Sequence, residues 1–487
     1  MDKAPADDSG GSSDSTEAPP GSSYPKPLGR EILLIVTICM AQLMTQAALA
    51  MAIEPLHIIG ASFNVSTAGE LSWYASAYSL TVGTFILIAG RLGDDFGHRR
   101  LFIVGFAWFG LWSLLAGFSV WSNQIFFDCC RAFQGIGPAM LMPNAVALLG
   151  RMYAPGPRKS MVFSLFGAAA PTGYSVGAAM SSLLAERLWW PWAYWIMGIV
   201  CFGLAVLGTV VIPKSPAPKI DRSLHWASRL DLAGSAAIIT GLILINFSWN
   251  QGPVVGWDVP YIYVLLIVGF LPLGLFGFIE RRAARPLLPP ALFTRELGWV
   301  LGCIGAGWSS FGVVVFYYFQ IMEVIKHNSP LLVSAKWSGS TVSGALASLA
   351  TGFLMARIRP SLIMLGAMTA FVVGQILLAT LPIGQNYWAQ AFVISIITPW
   401  GMDMSFPSGT LILSNSMPRE HQGIAASVVN TVVNYSVSIG LGIAGTVEAY
   451  VGNHGEDVLK GYRAASYTGV GLAGLGVLIA SLYVILG

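Results

Sequence analysis

The sequence predicts an all-α protein that crosses a membrane many times, and three observations carry this prediction. Of its 487 residues, 55% are hydrophobic and only 10% are charged, whereas a soluble chain carries about a quarter charged residues. Apolar runs of about 20 residues recur along the whole chain, and each is long enough to cross roughly 30 Å of hydrocarbon as a helix. The 55 glycines suit close helix packing in lipid better than a soluble core.

The apolar runs predict fourteen transmembrane spans. Residues 1–30, before the first span, are rich in Ser, Gly, Pro and Asp, which is typical of a disordered tail. If this tail is cytoplasmic, most of the 26 lysine and arginine residues also lie on the cytoplasmic side, as the positive-inside rule requires. The predicted spans are 31–55, 69–91, 100–119, 124–148, 160–184, 191–212, 231–250, 259–280, 297–322, 331–356, 361–383, 387–413, 422–449 and 464–486.

Few positive charges fall on the opposite, extracellular side. Lys336 lies inside the tenth span, where its long side chain is expected to reach outward to the membrane surface. The basic residues predicted to be extracellular are Arg187, Lys326, Lys460 and Arg463.

Composition and motifs argue against several other classes of protein. The net charge of +3 gives no reason to expect a nucleic-acid partner. The five cysteines lie in apolar runs and show neither a disulfide framework nor zinc-ligand spacing. The sequence contains no Walker motif and no catalytic constellation, so we expect no metal, cofactor, ATP hydrolysis or enzyme activity.

A charged stretch, GRLGDDFGHRR at 90–100, interrupts the apolar sequence between the second and third spans. Gly90 and Gly97 permit a tight turn and a close approach of helices. Asp94 is suited to face a helix N-terminus, where negative charge is favoured, and Arg99 is expected to anchor the loop at the cytoplasmic surface. A plain solvated basic loop accounts for the arginines, but it does not explain both glycines and the aspartate.

This stretch resembles the signature loop of the major facilitator superfamily, which is approximately G-x-L-x-D-(basic)-x-G-(basic)-(basic). Asp95 departs from the pattern, because it stands where the family usually has a basic residue. The resemblance implies that the loop closes the cytoplasmic gate by clamping neighbouring helices. The matching residues are Gly90, Leu92, Asp94, Gly97, His98 and Arg99.

The fourth span carries a positive charge in DCCRAFQGIGPAM, where Arg131 and Gln134 resemble the superfamily's R-x-x-Q-G motif. A charged residue inside a membrane helix is costly and rarely structural alone. One interpretation pairs Arg131 with Asp128, three residues earlier on the same helix face. The other has Arg131 face the transport cavity and tune a nearby proton or substrate site.

In the fifth span, FGAAAPTGYSVG resembles the antiporter motif, a Gly/Pro-rich stretch associated with exporters. Pro171 removes one helix hydrogen bond and is expected to kink the helix. The glycines are expected to allow tight contact against the other half of the protein, which would limit leak; ordinary packing of small residues is the alternative. Ser181 and Ser182 replace a later glycine pair. The matching residues are Gly167, Pro171, Gly173 and Gly177.

Longer stretches narrow the resemblance to the fourteen-span drug/proton antiporter group and its fungal aminotriazole-resistance branch. They include LDLAG at the seventh span, CMAQLMTQAALAMAIEPLHIIG in the first, and GMDMSFPSGTLILSNSMPREHQGIAASVVN across the twelfth and thirteenth. The branch includes exporters of toxic compounds and borate, and a low-affinity ammonium carrier. The resemblance implies a monomer with six-helix bundles at 31–212 and 297–487, joined by a linker at 213–296 with two extra helices.

One departure from the group concerns proton coupling. Many fourteen-span antiporters have an aspartate in the first span where this chain has Gln46, and a glutamine side chain cannot carry a proton. A coupled proton would therefore bind elsewhere. The candidates, in order, are Asp403, Asp128 and Glu54.

Asp403 lies in the twelfth span between Pro399 and Pro407, beside Gly401. Prolines that flank a glycine predict a broken helix whose free carbonyls line a cavity, and desolvation there favours a protonated carboxyl group. The alternative is a structural hydrogen bond. Glu54 lies near the outer end of the first span, where we expect a solvated residue at the mouth of the cavity.

The expected function is secondary active export of small toxic or drug-like compounds by alternating access, driven by protons that move inward. The alternative is a facilitator or low-affinity carrier of a small solute such as ammonium or borate, without obligatory proton coupling, which Gln46 supports. A transporter-like nutrient sensor is a remote third interpretation. Such sensors commonly carry long cytoplasmic extensions, whereas the predicted tail before the first span here is only residues 1–30. The plasma membrane is the expected location, with the vacuolar membrane as the alternative.

Overall fold

A computed structural model describes residues 28–153, 157–214, 225–283, 285–288, 294–355, 357–415 and 422–486. Nearly all of the predicted tail at 1–30 and parts of the predicted linker lie outside these ranges. Regular secondary structure in the described ranges is helical throughout, as predicted. The α-helices are α1 (Leu28–Ile53), α2 (Leu56–Ser62), α3 (Ala68–Phe96), α4 (His98–Phe118), α5 (Gln124–Met152), α6 (Pro157–Arg187), α7 (Pro191–Val211), α8 (Trp226–Arg229), α9 (Leu232–Val255), α10 (Pro260–Glu280), α11 (Arg295–Gln320), α12 (Pro330–Trp337), α13 (Gly339–Met355), α14 (Pro360–Ala379), α15 (Ala391–Asn415), α16 (Gln422–Val451) and α17 (Val458–Leu486).

Eleven helical segments in the described ranges are long and apolar enough to cross a membrane, so the chain is a multi-pass integral membrane protein. The predicted spans 160–184, 331–356 and 387–413 correspond to α6, to α12 with α13, and to α15. These three are not among the eleven segments, so the total of fourteen stays a prediction. The eleven lie in α1, α3, α4, α5, α7, α9, α10, α11, α14, α16 and α17.

The outer surface of the helices is apolar, and α10 illustrates this. Ile267 and Leu271 are 64% and 69% exposed, whereas Gly269, on the opposite side of α10, packs against Ile245 of α9. A large exposed apolar surface of this kind would promote aggregation in water. Lipid tails solvate it, which explains why such residues can remain on the outside.

The helices pack in two groups. In the first group α3 packs against α5, α1 against α6, and α4 against both α5 and α7. In the second, α14 packs against α15 and α17, while α11 packs against α16 and α17. The groups meet through α3 and α16, and through α6 with α12 and α13. Helix α9, in the predicted linker, packs against α10 and also contacts both α3 and α16, so it lies beside the junction of the two groups.

Candidate functional site

A narrow cavity lies at the junction of the two helix groups. Helices α1 and α6 supply one wall, and α11, α12, α13 and α15 supply the other. Its free volume of about 30 Å³ is room for about one or two water molecules, so this conformation excludes larger solutes. The side chains that line the cavity include Gln46, Pro171, Tyr174, Phe311, Trp337, Thr398, Pro399 and Met402.

Asp403 lies directly behind this lining. Its side chain is only 8% exposed, and its Oδ2 is buried without a hydrogen-bond partner. A Cβ placed on Gly344 would lie 2.6 Å from that oxygen and 3.2 Å from the Cβ of Pro171. The carboxyl group is therefore held where α13 and α15 meet α6 of the opposite group, and the missing side chain of Gly344 makes room for it.

The backbone around Asp403 differs from the prediction. Helix α15 runs unbroken from Ala391 to Asn415 through both prolines, so the expected broken helix is wrong. Pro407 has no N–H to donate to the carbonyl oxygen of Asp403, four residues earlier. The hydroxyl of Thr351 in α13 lies 3.4 Å from that oxygen, and its shorter hydrogen bond, of 2.7 Å, goes to the carbonyl oxygen of Ala347 in its own helix. The neighbouring helix α13 thus places a polar group beside the carbonyl oxygen that the proline leaves without a backbone donor.

Glu54 corrects a second prediction, because it is not a solvated residue at the mouth of the cavity. α1 ends at Ile53, and the Glu54 side chain is 0% exposed. Its Oε2 accepts a hydrogen bond from Ser334 of α12 at 3.0 Å, while Oε1 is buried without a partner. Tyr174, which lines the cavity, lies beside the carboxyl group. The carboxyl group is buried because α12 of the other group covers it. No local sequence pattern predicts that contact.

The two groups are joined by hydrogen bonds at the predicted extracellular ends of α6 and α12. The backbone N–H of Leu331 donates to Glu186 at 2.5 Å, and the hydroxyl groups of Ser182 and Ser334 bond at 2.9 Å. Nearby, His57 of α2 and Gln320 of α11 form a side-chain bond of 2.7 Å. These contacts hold the two groups together at the predicted extracellular side. The sequence analysis predicted none of these contacts; it named Ser182 only because this residue stands where the antiporter motif usually has a glycine.

The contact between α6 and α13 is not uniform along the two helices. Thr341, Gly344 and Gly352 follow one face of α13, and Pro171 and Gly167 follow one face of α6 at helical spacing. A Cβ on Gly344 would contact Pro171, whereas a Cβ on Gly167 or Gly352 would have no atom within 4 Å. These two helices therefore touch toward their predicted extracellular ends, and Gly167 and Gly352, toward the predicted cytoplasmic ends, contact no other described helix.

The antiporter-motif glycines do not face the other helix group, which corrects the prediction. A Cβ on Gly177 would lie 2.5 Å from the Cα of Ala47, and a Cβ on Gly173 would lie 2.7 Å from the Cα of Leu43. Both glycines thus pack against α1 of their own group, and Gly167 packs against nothing. Across the junction, contact is made by Pro171 and by side chains such as Ser175, which bonds Thr341. Helix α6 continues through Pro171 without interruption.

Arg131 is fully buried inside the first helix group. Its guanidinium donates to the carbonyl oxygens of Tyr74 and Ala48, both at 2.9 Å, and to the side chain of Gln134. It also lies 4.6 Å from the centre of the Tyr78 ring. These partners belong to α1, α3 and α5, so Arg131 ties the three helices together.

Asp128 does not form the predicted ion pair with Arg131, since no ion pair within 4 Å joins these two described residues. Carbonyl oxygens take the arginine donors instead. The Oδ1 of Asp128 is buried without a hydrogen-bond partner. Of the five candidates only Gln46 lines the central cavity. Asp403 and Glu54 lie behind its lining, next to Pro171 and Tyr174, whereas the partners of Arg131 lie inside the first helix group.

The GRLGDDFGHRR stretch is almost entirely helical, which corrects the expected loop. α3 continues to Phe96 and α4 begins at His98, so only Gly97 lies between them. Gly97 has φ = 95°, a conformation that favours glycine, and the tight turn is confirmed there. Gly90 lies inside α3 instead, where a Cβ would be 3.5 Å from Oγ of Ser427 in α16.

The charged residues of this stretch contact their own group and the predicted linker. Asp94 is exposed and lies 3.3 Å from His98 and 3.6 Å from Arg151. Arg99 donates to the carbonyl oxygens of Ile212 at 2.8 Å and of Thr209, which caps the C-terminus of α7. Arg99 therefore connects the start of α4 to the end of α7, and its anchoring at the cytoplasmic surface stays a prediction.

Asp95, the departure from the family pattern, forms a shielded ion pair with the predicted linker. Its Oδ2 accepts from Nε of Arg229 at 2.6 Å, and the two side chains are 10% and 11% exposed. Arg229 ends α8, immediately before α9. Asp95 thus connects the end of α3 to α8, in the predicted linker.

Comparisons with known proteins agree with this architecture. A family model described as Major Facilitator Superfamily matches residues 35–335. A crystal structure of a POT family transporter in complex with 5-aminolevulinic acid matches with a TM-score of 0.68, covering 96% of this chain and 97% of that one. The two sequences are only 11% identical, so this match shows the fold alone.

Fungal relatives are much closer in sequence. A low affinity ammonium transporter of Saccharomyces cerevisiae is 61% identical over 94% of this chain and 89% of its own length. The efflux pump terJ of Aspergillus terreus is 45% identical over the same shares. The aminotriazole resistance protein of Saccharomyces cerevisiae is 38% identical over 97% of this chain and 87% of its own. The resemblance to the aminotriazole-resistance branch is confirmed.

Proposed function

The chain belongs to the major facilitator superfamily, and we propose that it is a proton-coupled exporter of small toxic or drug-like compounds. The observation that carries this proposal is Asp403, a buried carboxyl group with one unpartnered oxygen beside the cavity. A carboxyl group that binds and releases a proton there would change the charge at the contact between the two helix groups. The relatedness to terJ, which is named an efflux pump, supports the outward direction.

In this proposal the protein has fourteen spans: the eleven apolar segments together with α6, α12–α13 and α15. Residues 31–212 and 297–487 form two bundles that rock about the cavity, and 213–296 carries the inserted pair α9 and α10. The protein acts as a monomer in the plasma membrane, with the vacuolar membrane as the alternative.

Transport would proceed by alternating access to the cavity. With the extracellular side held by the contacts of Ser334, substrate enters between the predicted cytoplasmic ends of α6 and α13. Asp403 would bind a proton from the outside and release it to the cytoplasm. Its protonated and deprotonated forms would favour opposite conformations, and a proton gradient could drive export in this way. Glu54 is a second candidate proton carrier, because it is buried at the extracellular end of the same junction.

A second candidate function is low-affinity carriage of a small cation or neutral solute such as ammonium or borate, without obligatory proton coupling. Two observations favour it. The ammonium transporter of Saccharomyces cerevisiae has 61% identity to this chain. In addition, the cavity wall carries the neutral Gln46, where related antiporters often have an aspartate.

The deciding experiment is uptake into inside-out vesicles from yeast that express the protein, with and without an acidic interior. The compounds would be aminotriazole, borate, methylammonium and a cationic dye. We expect gradient-dependent accumulation that is lost in Asp403→Asn and kept in Asp457→Asn, a matched change at an exposed aspartate. Equilibration that ignores the gradient would contradict the exporter and support the carrier. Coupled transport that survives Asp403→Asn would contradict the role of Asp403.

A further inference from the structure

A pocket on the predicted extracellular surface brings together two of the few basic residues outside the cytoplasmic side. It lies between the end of α11, helix α12 and the connection from α14 to α15, and its volume is about 340 Å³. Lys326 and Lys336 both line it, with Asn328, Gln385 and Tyr387. This pocket is separate from the central cavity and has no part in the proposed transport cycle.

Each lysine is held toward the pocket by a single hydrogen bond. Nζ of Lys326 donates to the carbonyl oxygen of Gln385 at 3.0 Å. Nζ of Lys336 donates to Oδ1 of Asn328 at 2.7 Å and lies 5.7 Å from the centre of the Tyr387 ring. Because an ammonium group has three N–H donors, each lysine retains donors for a ligand.

The two positive charges lack a carboxylate partner. Within the described ranges, no ion pair within 4 Å involves either lysine. Burial lowers the pKa of Lys326 below its ordinary value, and the positive charge of Lys336 lowers it further. The fold therefore keeps two like charges facing one pocket, an arrangement that an anion would stabilise.

The other residues that line the pocket indicate which chemical groups a bound anion could carry. Oε1 of Gln385 is buried without a hydrogen-bond partner, so a ligand with a hydroxyl group or another donor could satisfy it. Met322 and Ile325 give the pocket an apolar side. Lysine pairs bind phosphate as point charges, and a volume above about 300 Å³ is typical of ligand pockets.

We propose that this pocket binds a phosphate group, through Lys326 and Lys336, at the extracellular surface. The phosphate would neutralise both lysines and connect α12 to the 381–390 segment. Since α12 also carries Ser334, the ligand would be bound next to the helix that joins the two groups at the predicted extracellular side. Free inorganic phosphate and the headgroup of a phospholipid offer the same chemistry, and the experiment separates them.

The test uses purified full-length protein in neutral detergent and phosphate-free buffer. Thermal unfolding is followed while inorganic phosphate is added at constant ionic strength. A parallel series uses nanodiscs of phosphatidylcholine with and without phosphatidic acid. Lys326→Gln, the double variant Lys326→Gln/Lys336→Gln and the control Lys460→Gln, which removes an exposed lysine on the same side, are measured alongside.

We expect saturable stabilisation of the wild type and of Lys460→Gln. The half-saturating phosphate concentration should rise about tenfold in Lys326→Gln, the loss of one charge-assisted bond, and the response should vanish in the double variant. Stabilisation by inorganic phosphate identifies a free anion as a ligand, and stabilisation by phosphatidic acid alone identifies the headgroup. No stabilisation in either series, or equal responses in wild type and Lys326→Gln, would overturn the proposal. If the double variant does not fold, the single variant decides.

Discussion

The glycines of the antiporter motif allow a sharp test, because the same substitution should have opposite effects at two of them. In Gly177→Ala the new Cβ would lie 2.5 Å from the Cα of Ala47 and 2.8 Å from its carbonyl carbon. Carbon atoms in contact stand about 3.5–4.0 Å apart. Because the nearest atoms are backbone and cannot rotate away, α1 and α6 would have to separate by about 1 Å.

The expected cost of Gly177→Ala is about 1–3 kcal/mol of unfolding free energy, the usual range for overpacking. Gly167→Ala is the matched control, since its Cβ would have no atom within 4 Å. Alanine is favoured over glycine inside a helix by about 1 kcal/mol, so Gly167→Ala should be neutral or stabilising. The two variants should therefore differ by roughly 1–4 kcal/mol.

The assay is thermal unfolding of both purified variants in the same detergent, followed by the fraction that remains monodisperse on size exclusion. A lower melting temperature for Gly177→Ala alone supports the α1–α6 contact. If both variants lose the same stability, or if Gly177→Ala is as stable as the wild type, the packing argument is wrong.

Three further changes test the ion pair, the helix cap and the outer junction. Asp95→Asn should destabilise the protein by about 3–5 kcal/mol, because Arg229 loses its shielded partner. Adding Arg229→Gln to this variant should cost little more stability. If the two substitutions lower the melting temperature additively, the ion pair does not stabilise the protein. Arg99→Ala should cost about 1–3 kcal/mol, because two carbonyl oxygens at the end of α7 lose a donor, whereas the exposed Arg100→Ala should leave the melting temperature unchanged. Glu54→Gln should preserve thermal stability, since the amide oxygen still accepts the bond from α12, yet should slow proton-driven uptake into vesicles; unchanged uptake would exclude a role in coupling.

Several features follow from local sequence and could be predicted without a structure. Apolar runs of membrane length specify helices whatever their neighbours, because a helix satisfies its own backbone groups in lipid. α3 ends at Gly97 because the turn there needs a positive φ, which glycine adopts more readily than other residues. α1 ends just before Glu54 because Glu54 precedes Pro55, and the helical conformation is unfavourable for a residue before a proline. The family could also be recognised, since its motifs are short and contiguous.

The direction in which each side chain faces was decided only by tertiary contact. The predicted contact of Gly173 and Gly177 with the other half is wrong, because the helix rotation that places Pro171 against α13 necessarily places those glycines against α1. Whether a carboxyl group is solvated also depends on the opposite helix, and α12 covers Glu54 from 280 positions further along the chain.

The sequence by itself therefore determined the helices, their membrane environment and the family, since each depends on residues close together in the chain. Only the tertiary structure decided which polar groups meet. It places Arg131 inside the first helix group, buries Glu54 and Asp403 behind the lining of the cavity, and brings Lys326 and Lys336 to one surface pocket. The physical reason is that a helix face acquires its role only from the element packed against it.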